Sequence, residues 1–304
     1  MAANDGYLVY NHAHPDGDAL GSAIALVKIL RHIGKKAFAY SPDGIPAKLD
    51  FLPYEGIFVS DPEKYKNFIP LSVDLAGPKL LGKAEAPRFA LSFDHHLINT
   101  LECDRLCLMN RLCSCGEMIF LLADEMSYEP DADCAAALYT AICSDSGGFR
   151  YSLTSAQTHR MAARLHEKGI DFAYINRRLF ESKTRAQTEL IKFAYNNLRF
   201  VKDGKFAYVA ITVDDLKKCG ADDSDVDCVN DIPRSVDGVL ASAVIRERGD
   251  GVKVSLRSSD SVDVAAIASR FGGGGHYHAA GLSLDCKAEE AAKIIERIFS
   301  EIEV

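Results

Sequence analysis

The sequence predicts an α/β protein: an N-terminal, mostly parallel sheet flanked by helices, a linker helix, and a smaller C-terminal α/β domain with a mixed sheet. Three observations carry that expectation. Short, largely apolar runs alternate with helix-periodic segments through the first half, as the crossover units of a buried parallel sheet require. In the second half, strand-like runs are separated by turns such as Arg248-Gly-Asp-Gly251, the pattern of an antiparallel component. Between the halves lies one long amphipathic stretch, Lys183 to Phe200. The expected domains are 1–184, a linker helix at 185–200, and 201–304.

Taken in order, Tyr7–Tyr10 reads as a strand. Asp18 to Ile33 carries Leu20, Ile24, Leu26, Leu30 and Ile33 at helical spacing. Gly34 follows where a helix C-terminus favours glycine. Lys36–Tyr40, Leu71–Leu75 and Arg88–Asp94 read as further strands, and helices are expected near Ser114–Asp124 and Asp133–Ser144. Thr154-Ser155 opens another with a capping hydroxyl. Beyond the linker, Phe206–Thr212, Val239–Arg246, Val252–Leu256 and Gly281–Leu284 read as strands. Val264–Phe271 and Ala288–Ile302 read as helices.

The bulk properties bound the function. The chain has 304 residues, 48% hydrophobic and 26% charged, and a net charge of -8. That is a globular composition long enough to bury a core without disulfides. The acidic balance argues against tracking a long duplex, which needs a surplus of Lys and Arg. A small nucleotide remains compatible, because a bound cation supplies positive charge locally. The nine cysteines form no CxxC pair, so reduced, buried thiols are expected in place of structural zinc. The N-terminus lacks a basic and apolar leader, and no apolar run approaches the ~20 residues of a membrane span. A cytoplasmic protein without a membrane partner is the expectation.

Four acidic clusters stand out. His12-Ala-His-Pro-Asp16-Gly-Asp18 leaves a strand and enters a helix, with Pro15 and Gly17 turning the backbone. Read alone it is equally a polar loop with Asp18 as helix cap. Asp74 and the tripeptide Asp94-His95-His96 close apolar strands, and Asp145 closes the apolar segment Ala135–Cys143. Any one Asp before a turn is ordinary. Four at strand ends of one sheet lie where such sheets gather ligands. Carboxylates with a few imidazoles and no thiolate suit Mn²⁺ or Mg²⁺, imidazole tilting the choice to Mn²⁺. Two such ions form a standard device for phosphoryl transfer. In the second half, Arg257-Ser258-Ser259 and Gly272-Gly273-Gly274-Gly275-His276 offer a cation, unobstructed backbone amides and an imidazole to a phosphate.

Together these segments resemble the DHH phosphoesterase superfamily with its DHH-associated C-terminal domain, and the likeness covers nearly the whole chain. His12-x-x-Pro-Asp16-Gly-Asp18-Ala-x-Gly-Ser22 is similar to the first motif, Asp74 to the second, Asp94-His95-His96 to the third and Asp145-Ser-Gly-Gly-Phe-Arg150 to the fourth. Gly272–Gly281 resembles the signature of the associated domain. The resemblance implies that His12, Asp16 and Asp74 hold one divalent ion, and that Asp18, Asp74, His95 and Asp145 hold a second, with Asp74 shared. It implies a catalytic role for Asp94, as orienting group, and for His96, as phosphate ligand. Arg257, Ser258, Gly273, Gly274, Gly275 and His276 would bind substrate. Leu75 and Ser146 depart from the residues usual in that family, and neither is an implied ligand.

The two-domain form is most similar to the nano-RNase branch. That branch implies hydrolysis of short oligoribonucleotides, such as the linear dinucleotides pApA and pGpG, and of the 3′-phosphate of 3′,5′-bisphosphate adenosine, in the cleft between the domains. The expected partner is short RNA or a mononucleotide, not long double-stranded nucleic acid. Two rival readings stand beside it: hydrolysis of polyphosphate or pyrophosphate, and a nucleotide-binding regulator without turnover. The Gly-rich module is also a candidate contact in a homodimer.

Overall fold

The computed structural model describes residues 6–249, 251–259 and 261–303, and at position 276 the backbone alone. The chain divides into two compact units, with the boundary between Ser182 and Lys183.

The first unit is built on β1 (Gly6–Tyr10), α1 (Gly17–His32), β2 (Lys36–Tyr40), β3 (Ile69–Val73), β4 (Leu91–Asp94) and β5 (Leu106–Leu108), followed by α2 (Cys115–Glu125), α3 (Ala132–Asp145), α4 (Ala156–His166) and α5 (Phe172–Asn176). Its five strands are all parallel, in the order β2-β1-β3-β4-β5. The chain runs outward from β1 to β2, then returns to place β3 on the other side. The switch point of the sheet therefore lies between β1 and β3, where ligands collect in open α/β sheets.

Alternation along β1 sends Tyr7 and Val9 into a core shared with Leu20, Ile24, Val73 and Leu138. Leu8 and Tyr10 go to a smaller cluster on the other face with Leu75, Leu81 and Phe89. Helix α1 is buried nearly all round from Gly17 to Leu30, so its apolar residues exceed one stripe. It meets α3 closely: a Cβ on Gly21 would lie 2.3 Å from the Ala137 carbonyl oxygen. Alanine at position 21 should cost about 1–3 kcal/mol through overpacking. Gly34, at φ +78°, ends the helix in the left-handed conformation.

The second unit contains α6 (Arg185–Asn196), β6 (Arg199–Val201), β7 (Phe206–Ile211), α7 (Val213–Cys219), β8 (Ala241–Arg248), β9 (Gly251–Ser258), α8 (Val264–Ser269), β10 (Gly274–His276), β11 (Ala279–Leu284) and α9 (Ala288–Glu301). The six-stranded sheet has the order β10-β11-β9-β8-β7-β6. Only the β7–β8 pair is parallel. On one face Val254, Leu256 and Ile245 pack with Ile295 and Phe299 of α9. On the other, Leu190 and Ala194 of α6 pack on Val209, Ile211 and Val244. The stretch expected to link the units thus supplies α6 and β6 of the second unit.

Two expectations change. Asp145 is the last residue of helix α3 and stands at no strand end; the apolar segment before it has helical periodicity and the length of a helix. The Gly-rich tract, expected only to offer unobstructed backbone amides, is also paired, since Gly274–His276 runs antiparallel to β11. A Cβ on Gly273 would lie 2.2 Å from the Gly281 carbonyl oxygen, and one on Gly275 2.4 Å from that of Ala279, whereas Gly274 faces open space. Close strand approach demands glycine at two of these positions. All nine cysteines are free. Among the described residues no helix is long and apolar enough to cross a membrane.

Candidate metal centre

The segments that leave β1, β3 and β4, with the C-terminus of α3, bring six ionisable groups together. Asp16 is the N-cap of α1, accepting from the Ala19 amide at 3.0 Å, so the cap is Asp16 and not Asp18. Asp18 lies within the first turn, fully buried. Its Oδ2 accepts from the Cys115 amide at 2.6 Å, and its Oδ1 from the Gly116 amide at 2.8 Å and the Ser22 hydroxyl at 2.9 Å. The N-terminus of α2 thus clamps this carboxylate. Asp74 follows β3 at φ +53°, a left-handed backbone that non-glycine residues adopt at a cost.

The imidazoles meet these carboxylates. His12 Nε2 lies 3.4 Å from Asp74 Oδ2 and 3.9 Å from Asp16 Oδ1. Its Nδ1 is 2.8 Å from the Ala13 carbonyl. A carbonyl only accepts, so Nδ1 carries the proton and Nε2 faces the carboxylates. His95 Nε2 lies 3.3 Å from Asp145 Oδ2, 3.5 Å from Asp74 Oδ1 and 3.6 Å from Asp18 Oδ2. Three groups of ligand atoms result, each within 4.8 Å: His12, Asp16 and Asp74; Asp18, His95 and Asp145; Asp74, His95 and His96.

Four carboxylates face two imidazoles at the centre of this arrangement. Burial, then the neighbouring Asp74 and Asp145, hold the Asp18 carboxyl well above its usual range. Burial also raises Asp145. Burial would raise Asp74 too, but His12 and His95 outweigh it and hold that carboxyl low. For the histidines burial acts downward and is overcome. Asp74 and Asp16 lift His12 to about 9, and Asp145, Asp74 and Asp18 lift His95 to about 12. Asp145 moreover sits at the C-terminus of α3, where the helix dipole disfavours an anion. Asp74 Oδ1 and His95 Nε2 are buried with no hydrogen-bond partner among the described residues. Unpartnered buried ligand atoms amid excess carboxylate fit a divalent cation.

Asp94 behaves differently. It is fully buried. Its Oδ1 accepts from the His95 and His96 amides at 2.9 and 3.3 Å and from His96 Nδ1 at 2.8 Å. That last contact raises the His96 imidazole pKa. Asp94 Oδ2 accepts from Asn99 Nδ2 at 2.6 Å. Asn99 was not foreseen from the sequence; its only signal is an amide side chain five residues after Asp94 in a short loop. The α2 amides on Asp18 were not foreseen either.

In the second unit, Arg257 and Ser258 lie on opposite faces of β9. Arg257 is half-buried, whereas Ser258 is 2% exposed. The Ser258 hydroxyl contacts the Tyr277 carbonyl and His278 Nδ1. Strand alternation turns Ser258 away from Arg257, so the two do not share a face. Gly274 lies exposed on β10, and the side chain of His276 lies outside the described residues.

Residues 7–142 match the DHH family, N-terminal domain, and residues 203–303 match the DHHA1 domain. The chain is 30% identical over 295 residues to a bifunctional oligoribonuclease and PAP phosphatase NrnA of Thermus thermophilus, covering 97% of this chain and 88% of that one. It is 26% identical over 285 residues to the protein of the same name from Bacillus subtilis, covering 92% and 90%. An exopolyphosphatase-related protein from Bacteroides fragilis superposes with a TM-score of 0.88 at 26% identity, covering 97% of this chain and 92% of that one.

Proposed function

The chain belongs to the DHH family of phosphoesterases and carries a DHHA1 domain, and from that premise we propose that it hydrolyses short oligoribonucleotides, linear dinucleotides included, and the 3′-phosphate of 3′,5′-bisphosphate adenosine. The observation that carries the reading is the convergence of His12, Asp16, Asp18, Asp74, His95 and Asp145 around two unpartnered buried ligand atoms. The names of the Thermus thermophilus and Bacillus subtilis relatives support the substrate class. We place the activity in the cytoplasm.

His12, Asp16 and Asp74 would hold one divalent ion, and Asp18, Asp74, His95 and Asp145 a second. When bound, two such ions, Mn²⁺ ahead of Mg²⁺, neutralise charge developing on the phosphoryl oxygens and acidify the attacking water. The protein's part is orientation. The α2 amides and Ser22 fix Asp18, and the Ala13 carbonyl fixes the His12 ring. Asp94 holds the His96 ring through Nδ1, setting the angle at which that imidazole meets a phosphate. Arg257, with no carboxylate in salt-bridge contact among the described residues, supplies a fixed positive charge for a second phosphate.

A panel of RNAs from two to about 20 nucleotides, with bisphosphate adenosine and polyphosphate, tests this in Mn²⁺, Mg²⁺ and EDTA. The expected result is a rate that falls steeply with length and vanishes in EDTA. Length-independent digestion would overturn the short-substrate reading. Preferential phosphate release from polyphosphate would favour the rival hydrolase, and tight binding without turnover a regulator.

A further inference from the structure

One face of the second unit's sheet carries a line of basic and small residues. Along β9, Val252, Val254, Leu256 and Ser258 are buried, so Lys253, Ser255 and Arg257 share the opposite face. On β11 the register sets Ala279 beside Arg257, Gly281 beside Ser255 and Ser283 beside Lys253. On β8 it sets Arg246 beside Lys253 and Arg248 beside Gly251.

The charges along this line are unequal. Arg246 and Arg248 share one carboxylate, Asp223: Arg246 Nε lies 3.0 Å and Arg248 Nε 2.9 Å from its Oδ1. Lys253 forms no salt bridge among the described residues. Partial burial, then the nearness of Arg246 and Arg248, lowers its ammonium pKa. Strand rise separates Lys253 from Arg257 by about 13 Å, too far to share one phosphate. Ser255, Gly281 and Ala279 between them raise no bulky side chain.

We propose that Lys253, backed by Arg246 and Arg248, is a second phosphate site, in line with Arg257, for the backbone of a single-stranded oligoribonucleotide longer than a dinucleotide. The inference rests on the short-RNA reading above and adds to it a reason for tolerating a few further nucleotides. At about 13 Å the two cations lie farther apart than neighbouring phosphates of one strand, so a dinucleotide engages one of them and a longer strand both.

The test compares wild type and Lys253→Gln, loaded with Mn²⁺, on a dinucleotide and a pentanucleotide RNA over a range of KCl. In the variant, the ratio of pentanucleotide KM to dinucleotide KM should rise about fivefold, the scale of one lost phosphate contact. The slope of log KM against log salt for the pentanucleotide should become shallower by about 0.7. Lys253→Arg should restore both. An unchanged ratio and slope, or an equal rise in KM at both lengths, overturns the second site. Fluorescence anisotropy with a labelled pentanucleotide reads the same contact without turnover. A chain that binds it through Lys253 but hydrolyses neither RNA refutes the hydrolase reading and leaves the second site standing.

Discussion

Asn99 donates from Nδ2 to Asp94 Oδ2 at 2.6 Å, while the other oxygen of Asp94 receives the His96 ring at 2.8 Å. Asn99 and the His96 ring thus hold opposite oxygens of one buried carboxylate. Asn99 also donates to the Leu75 carbonyl at 3.0 Å and accepts from the Leu101 amide at 2.7 Å, tying the loop after β4 to the loop after β3.

Replacing Asn99 by Ala should lower kcat about 10–100-fold, the usual scale for losing a group that orients a ligand. Stability should fall by about 1–3 kcal/mol, since a buried carboxylate oxygen loses its donor. The effect should sit in kcat more than in KM, because the ring is misaimed and not removed. Steady-state kinetics with a urea titration separates the two, and a normal kcat would rule out the positioning role.

Asp74 is the residue the two proposed ion sites share. Asp74→Asn keeps its shape and removes its charge. Turnover should fall at least about a hundredfold, and the thermal shift on adding Mn²⁺ should shrink. The circular dichroism spectrum should match wild type. Wild-type activity in this variant would dispose of the two-ion assignment.

The metal-free protein should lose stability as pH rises from about 6.5 to 9. His12 is raised to about 9 and His95 to about 12, so both bind a proton more tightly folded than unfolded. Their contribution is complete below the ordinary histidine value and is lost as pH climbs through the folded one. The raised Asp18 and Asp145 act in the same direction. Asp74, held low, contributes evenly over this range. Urea midpoints in EDTA should decline toward pH 9, and saturating Mn²⁺ should flatten the decline, because the ion competes with these protons. Midpoints that climb with pH in EDTA would contradict the charge arrangement.

Within the Gly-rich tract, alanine should have unequal effects. Gly273→Ala and Gly275→Ala push a Cβ against β11 carbonyls and should each cost about 1–3 kcal/mol. Gly275 adds the strain of φ +148°. Gly274→Ala points into open space and should fold normally. Thermal melts of the three variants decide it; equal losses would contradict the β10–β11 pairing.

Much of the site was legible because chemistry concentrates at segment ends. Apolar runs predicted β1, β3 and β4, and the polar residues ending them were His12, Asp74 and Asp94. Asp145 was legible as a candidate ligand, but it was counted with the strand ends although the helix expected near Asp133–Ser144 runs up to it. Ser258 was grouped with Arg257 by adjacency, although neighbours in a strand face opposite ways. Strands β5, β6 and β10 span three residues each, too few for periodicity to register. Asn99 and the α2 amides escaped because their partners lie in contacts that only folding makes.

Two helices present opposite poles to the metal centre. The positive end of α2 grips Asp18 through the Cys115 and Gly116 amides, while the negative end of α3 carries Asp145. One wall of the site is thus a carboxylate fixed in place by backbone amides. The other is a carboxylate that its own helix dipole disfavours, 3.3 Å from the His95 ring. Ion exchange should begin at the Asp145 side, and changes near the end of α3 should tune how long an ion stays, while changes at the start of α2 should spoil where it sits.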